Sequence, residues 1–249
     1  MSNKDLSIVI RCLDRLEYTV RTIVSIGENS GLNRSDYEII CVDQGSTDGT
    51  IDWLLSINRD NYYPVVPIFL EDNIGDGRGM QIGIESARGE FIAQHDSDIE
   101  LVTPNYYQRL ISIYKSLEEN DHQICALGGS HKQGINENSA PFKFAKKRDP
   151  LNKFNFLTER VNLISTAWCT ASFIFKNKFT EVKFDKRACN AWCGEWFDRG
   201  YENFVCEEIK FYHIDSAETG AEVQKQYDKF PNYEYIFSHY KNFIETNKK

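Results

Sequence analysis

Two aspartates one residue apart, Asp96-Ser97-Asp98, follow the short apolar run Phe91-Ile92-Ala93. Carboxylates at i and i+2 where a buried strand ends can converge on one hard cation with oxygen ligands. Mg²⁺ or Mn²⁺ held in this way can bridge two phosphates and neutralise charge on a leaving diphosphate. Taken alone, Asp-Ser-Asp is also what a solvated turn looks like; its place after an apolar strand, beside two other polar strand ends, is what favours the metal. The second cluster is Asp43-Gln44-Gly45-Ser46-Thr47-Asp48-Gly49-Thr50. Asp43 closes a hydrophobic strand, where its carboxylate could accept from a base N–H, while Thr47 or Asp48 suits the cap of a following helix. The third is Asn73-Ile74-Gly75-Asp76-Gly77-Arg78-Gly79. Alternating glycines let a backbone approach a ligand closely, and Arg78 stands near the start of a helix, where a cation would meet a nucleotide phosphate or base. No Gly-Lys-Ser/Thr follows, and the first strand exits through Arg11-Cys12-Leu13-Asp14 without glycine. A Walker A loop and a dinucleotide fingerprint are both excluded.

The elements that must position these residues alternate. Residues 6–10, 37–42, 65–70, 91–93 and 124–127 read as short strands, nearly all apolar as in a sheet covered on both faces. Pro64 and Pro67 bring the third strand to an edge. Helical spacing recurs between them: Val20, Ile23 and Val24, then residues 50–57, residues 80–87, and the stripe Tyr107, Leu110, Ile111, Tyr114, Leu117 behind Pro104. Repeated βα units predict an α/β fold, a doubly wound, mostly parallel sheet whose ligands bind beyond the carboxyl ends of the strands. All three polar clusters fall at those ends. The second half is irregular: a polar loop or excursion over 130–160, a strand at 166–175, a helix at 188–199 stopped by Gly200, a strand at 209–213 and an aromatic helix at 233–245, expected to dock on the core, with pairing of two subunits or a membrane surface as the alternatives. We read one compact domain with two functional halves, 1–130 and 131–249.

Composition narrows the function classes. Lys plus Arg is 29 against 37 Asp plus Glu, a net charge of −8, which disfavours a general binder of phosphate backbones. No run approaches the length of a membrane span, and Met1-Ser2-Asn3-Lys4-Asp5 leads directly into a strand, so no signal peptide is expected. Seven cysteines, an odd number, suit free thiols in a reducing cytoplasm. Cys189, Cys193 and Cys206, with Cys169 or His213, lack the second close pair of a zinc site.

The order of motifs resembles the family 2 glycosyltransferases of the GT-A fold. The resemblance runs from strand one through Ile39-Ile40-Cys41-Val42-Asp43-Gln44-Gly45-Ser46-Thr47-Asp48-Gly49-Thr50, the glycine stretch to Gly83, Ala87-Arg88-Gly89-Glu90-Phe91-Ile92 and Asp96-Ser97-Asp98. It covers residues 6–130 and thins in the C-terminal half. There only 166–175 and the stretch Gly200-Tyr201 to Tyr212-His213 are similar to the family's acceptor region. It implies a nucleotide-sugar donor and a divalent cation, Mn²⁺ or Mg²⁺. By position, Asp43 matches the acid that contacts the base, and Arg78 lies near a basic position facing the nucleotide. Asp96 matches the ribose-side acid, and Asp98 the metal-binding acid beside it. His213 matches a late histidine that is sometimes a metal ligand; a half-buried strand-end histidine is the alternative.

Two departures stand out. Members usually carry Pro-x-Tyr-Asn after strand one; Arg11-Cys12-Leu13-Asp14 here implies a remodelled loop, with Arg11 or Asp14 facing the donor. Inverting members carry an Asp, often in a Glu-Asp pair, shortly before the glycine that matches Gly200. That window is Ala188-Cys189-Asn190-Ala191-Trp192, without a carboxylate. Glu195 and Asp185 flank it as candidate general bases, Glu195 favoured for lying inside the predicted helix among Trp192, Trp196 and Phe197. Inversion and retention both stay open. The expected function is a cytoplasmic, metal-dependent glycosyltransferase moving a sugar from a UDP-sugar to a hydroxyl acceptor. The alternatives are a sugar nucleotidyltransferase, whose Gly-rich basic signature after strand one is missing, and a non-catalytic nucleotide-sugar or glycan-binding module. The acceptor is open among glycans, lipid-linked sugars, proteins, small molecules and modified nucleic acid. Lys143, Lys146, Lys147 and Arg148, interleaved with Phe142, Phe144 and Phe154, are either a phosphate-meeting cluster or a solvated loop.

Overall fold

The computed structural model describes residues 4–131, 153–156, 159–164, 172–184 and 188–214. Its first half is a repeating βα path: β1 (Lys4–Cys12), α1 (Leu16–Asn29), β2 (Tyr37–Asp43), α2 (Thr50–Arg59), β3 (Val65–Phe69), α3 (Asp76–Glu85) and β4 (Gly89–Asp96). These four strands pair in parallel in the order β3-β2-β1-β4. Alternate side chains serve two cores. Leu6, Ile8, Ile10 and Cys12 pack with α1, α2 and α4 (Tyr106–Glu119), while Val9, Ile40 and Val42 pack with Met80 and Ile84 of α3. Both faces are covered, which is why the strands read as unbroken apolar runs. Gly83 permits the contact of α3 with the sheet: a Cβ there would stand 2.2 Å from a Val9 methyl carbon. β3, with Pro67, is the edge strand, as its prolines predict.

The other half departs from the parallel rule. β9 (Ser172–Lys176) inserts antiparallel between β4 and β6 (Ile124–His131). β10 (Glu202–His213) lies parallel to β6 and carries the antiparallel hairpin of β8 (Glu159–Ile164) and β7 (Lys153–Phe156). Short β5 (Ile99–Leu101) pairs antiparallel with the last residues of β10. Only β9, β8 and β5 run against the other described strands, so the sheet is mostly parallel, as expected. α5 (Ala188–Asp198) shares the α3 face through Trp192 and Trp196.

Three expectations are corrected. Residues 153–156 and 159–164 are antiparallel paired strands, where a loop or excursion was expected over 130–160. β10 begins at Glu202 rather than 209, because a register shift between Val205 and Lys210 breaks the period-two alternation that would reveal it. α3 begins at Asp76, inside the glycine stretch, because Gly75 takes φ +89 and Asp76 supplies an anion to the first turn. The basic cluster at 143–148, the 233–245 helix, Cys169 and Asp185 lie outside the described residues. Among the described residues no helix is long and apolar enough to cross a membrane. Cys12, Cys41, Cys125, Cys193 and Cys206 are buried.

Candidate active site

The carboxyl ends of β1, β2, β4 and β10 lie along one edge of the sheet, and the polar clusters divide there into two groups. The first joins the β1–α1 and β2–α2 loops. Asp43 is 0% exposed. Its carboxylate accepts the backbone N–H groups of Gly45 (3.1 Å) and Ser46 (2.9 Å) and the Ser46 hydroxyl (2.5 Å). The Ser46 oxygen in turn accepts the N–H of Asp14 (2.7 Å), and Asp14 accepts the N–H of Thr47 (2.8 Å). Asp48 caps two helices at once: it accepts from the Leu16 N–H at the start of α1 (2.7 Å) and from the Thr50 N–H and hydroxyl at the start of α2 (3.1 and 2.6 Å). A carboxylate between two helix N-termini meets two positive dipole ends.

The second group surrounds Asp96 and Asp98. β1 and β4 are in register at Arg11 and Asp96, so both side chains leave on the α3 face. Arg11 donates from Nη2 to Asp96 Oδ1 (2.7 Å), and its Nη1 lies 3.2 Å from Asp76 at the start of α3. Gln94 donates to the same Asp96 oxygen (2.7 Å). Asp98 is reached from the far end of the chain. β10 pairs His213 with Ile99, and the N–H of Ile214 donates to the Asp98 carbonyl (2.8 Å). This pairing brings His213 Nε2 to 3.2 Å from Asp98 Oδ2, and Arg15 Nη1 lies 3.1 Å from the same oxygen. The turn between the acids is fixed by Thr22, whose hydroxyl donates to the Ser97 carbonyl (2.8 Å).

The two acids differ electrostatically. Burial opposes ionisation of Asp98, but the hydrogen bond and charge of His213, with Arg15, outweigh it and hold its pKa below the usual value. Burial dominates at Asp96; Arg11 opposes it, Asp98 adds repulsion, and the pKa lies above the usual value. Beneath them His95 is fully buried between Tyr107 and Ser172, and burial lowers its pKa to about 4. It is neutral at neutral pH, its Nδ1 accepting from hydroxyls (2.8–2.9 Å) while Nε2 faces the Ile99 carbonyl (3.4 Å).

The donor set fits a divalent cation. Asp98 and His213 approach each other at 3.2 Å, close to the roughly 3 Å between neighbouring ligands of an octahedral ion with bonds near 2.1 Å. Among the described residues no three His, Cys, Asp or Glu side chains stand assembled as a cage. Mg²⁺-type sites commonly use one or two carboxylates and complete the shell with water and substrate phosphates.

Of the residues expected from sequence, Arg11, Asp96, Asp98 and His213 are brought together. Arg78 lies exposed on the first turn of α3, two residues beyond Asp76. Strand parity turns Asp43 toward the α1–α2 side, with Cys41, and its carboxylate holds the turn. Glu195 lies away from this group. β9 runs antiparallel to β4, so the 3-10 turn Asn177–Glu181 that follows it lies where β4 begins, with Asn177 donating to the Gly89 carbonyl (3.3 Å). Arg199 binds both Glu181 and Glu195 (2.8 Å each), which draws Glu195 to that opposite end of the sheet, half exposed. Trp192 and Trp196 are core. Sequence reasoning missed Arg15, Gln94 and Asp76; the signal for Arg15 was its place four residues after Arg11, in a strand exit already marked as unusual.

The family model described as Glycosyl transferase family 2 matches residues 7–182. The chain belongs to glycosyl transferase family 2. Among curated relatives, poly(ribitol-phosphate) beta-glucosyltransferase of Bacillus spizizenii is 34% identical over 123 residues, 49% of this chain and 18% of that protein. An uncharacterized glycosyltransferase of Nostoc sp. is 30% identical over 129 residues, 51% of this chain and 38% of that protein. The chain thus matches well under half the length of these family 2 relatives. The mannosyltransferase PcManGT from Pyrobaculum calidifontis, solved with GDP-Man and Mn²⁺, superposes over 90% of this chain and 61% of its own at TM-score 0.63 and 16% identity. S. aureus TarS with UDP-GlcNAc covers 86% of this chain and 61% of its own at TM-score 0.57 and 18% identity. The fold of this family 2 chain is GT-A.

Proposed function

We propose that this chain transfers a sugar from a nucleotide-diphosphate donor, UDP-sugar by preference, to a hydroxyl acceptor in a divalent-cation-dependent reaction. The observation that carries the reading is the convergence of Asp96, Asp98 and His213 from two distant stretches onto one corner of the strand edge, flanked by Arg11 and Arg15. Asp98 and His213, with Asp96 beside them, would hold Mn²⁺ or Mg²⁺ with water and phosphate oxygens completing the shell; when bound, the ion supplies positive charge to the diphosphate leaving group. Arg11 and Arg15 offer guanidinium donors to phosphate oxygens, and Arg78 faces solvent from α3, ready for the nucleotide. The clasp of Asp14, Asp43 and Asp48 holds the loops beneath the donor in one conformation. Residues 1–130 serve the donor and 131–249 the acceptor. With Glu195 at the other end of the sheet, Asp185 is the proposed base. The buried thiols of Cys12, Cys41 and Cys125 support a reducing, cytoplasmic setting.

Thermal denaturation with UDP-sugars and GDP-mannose, each with and without Mn²⁺, tests the donor reading. Saturation at about a hundredfold over Kd raises Tm by roughly 5–10 °C in a chain of this size. No nucleotide sugar producing a Mn²⁺-dependent rise would refute it. A second reading, a binding module without transfer, draws on the position of Glu195. Slow Mn²⁺-dependent hydrolysis of the bound donor in the absence of acceptor is expected from a transferase and not from that module.

A further inference from the structure

The exit of β1 puts one cation on each carboxylate of the Asp-Ser-Asp pair. Arg11 lies on Asp96 Oδ1 at 2.7 Å and Arg15 on Asp98 Oδ2 at 3.1 Å. We infer that Arg11 and Arg15 are exchangeable counter-ions of the acid pair: they occupy it in the empty enzyme, hold its intrinsic affinity for a divalent cation low, and transfer to the diphosphate when nucleotide and cation arrive together. The inference rests on the donor reading above and specifies how that site loads.

Competition follows from geometry. The Asp98 oxygen that Arg15 contacts is the one that faces His213, so a cation shared by Asp98 and His213 must displace the guanidinium or lose that oxygen. The two arginines are built differently. Arg15 is half exposed, 49% at its side chain, so it can swing from carboxylate to phosphate at little desolvation cost. Arg11 is largely buried, 15% exposed, and its Nε has no hydrogen-bond acceptor among the described residues. Next to it Gln94, 1% exposed, donates to Asp96 while its own carbonyl oxygen has no donor among the described residues. Buried polar atoms without partners are costly, and a bound nucleotide has phosphate oxygens to accept from Arg11 and hydroxyls to donate to Gln94. The backbone adds a third observation. Asp14 and Arg15 both take positive φ, +54 and +59, uncommon for residues other than glycine. The clasp through Ser46, Thr47 and Asp48 keeps them there, which fixes the origin of the Arg15 side chain over Asp98.

The test is Mn²⁺ binding, by calorimetry and by the EPR signal of free Mn²⁺, in the full chain alone and with UDP or GDP present. Wild type is expected to bind Mn²⁺ weakly alone and more tightly with nucleotide. Arg15→Gln is expected to tighten Mn²⁺ alone by about three- to tenfold, weaken metal-free nucleotide by a similar factor, and so shrink the synergy. Arg15→Lys keeps the charge and is expected to restore the wild-type values. Arg11→Gln is expected to act in the same direction on nucleotide, and unfolding without ligand checks that each variant is folded. An unchanged Mn²⁺ Kd and unchanged synergy in Arg15→Gln overturns the inference while leaving the donor reading intact. Wild type that binds neither nucleotide with Mn²⁺ overturns both.

Discussion

The acids along this strand edge fall into two groups that sequence alone makes look alike. Asp14, Asp43 and Asp48 accept from backbone N–H groups; Asp96 and Asp98 are met by side-chain cations, Arg11, Arg15 and His213. A backbone donor is fixed in place by the chain around it, so an acid bound to it is a brace. A side-chain cation can leave, so an acid bound to it can change partners. The partner, and not the residue type or its strand-end position, separates acids that shape the site from acids that can bind a ligand.

Substitution can break this distinction. Asp98→Asn should cost about a thousandfold in transfer rate, on the scale of losing a major electrostatic contact in an active site, with Tm nearly unchanged. A rate close to wild type in a donor-hydrolysis assay would move Asp98 into the bracing group. Asp43→Ala should do the reverse. It strands buried donors of the turn and lowers unfolding free energy by about 3 kcal/mol, visible in a urea titration, and any loss of nucleotide affinity follows from the disordered loop. A stable variant with weakened nucleotide binding would return Asp43 to direct contact with the donor. Glu195→Gln should have the smallest effect: turnover within about twofold of wild type and a stability loss near 0.5 kcal/mol, the worth of an exposed helical ion pair. A large fall in rate would restore Glu195 as the base.

The fold of the first half was legible in the sequence, for a physical reason. β1, β2 and β4 are covered on both faces, so Leu6 to Ile10 and Ile39 to Val42 carry an unbroken apolar signal, and the strand ends are where that signal stops. Asp96 and Asp98 were visible for the same reason. Asp43 was placed correctly on its strand, but its partner was hidden, because whether a carboxylate meets a ligand or its own turn depends on where Ser46 folds back. Glu195 was misjudged through helical register: the aromatic neighbours that suggested a sugar platform, Trp192 and Trp196, are core, and Arg199 one turn later fixes the carboxylate elsewhere. Arg15 left only the trace of its spacing from Arg11, since its role depends on a left-handed backbone that the neighbouring loop enforces. β10 was half hidden by the register shift before Lys210, although its end, with His213, was legible.

The pairing of β5 with β10 has a consequence for biosynthesis. Residue 98 emerges from the ribosome long before residue 213, and the corner they build needs both. Closing so long a loop is a late event in folding. A chain stopped upstream of residue 213 lacks both the imidazole that faces Asp98 and the Ile214 N–H that holds the Asp98 carbonyl, so this corner of the strand edge is among the last parts to be finished.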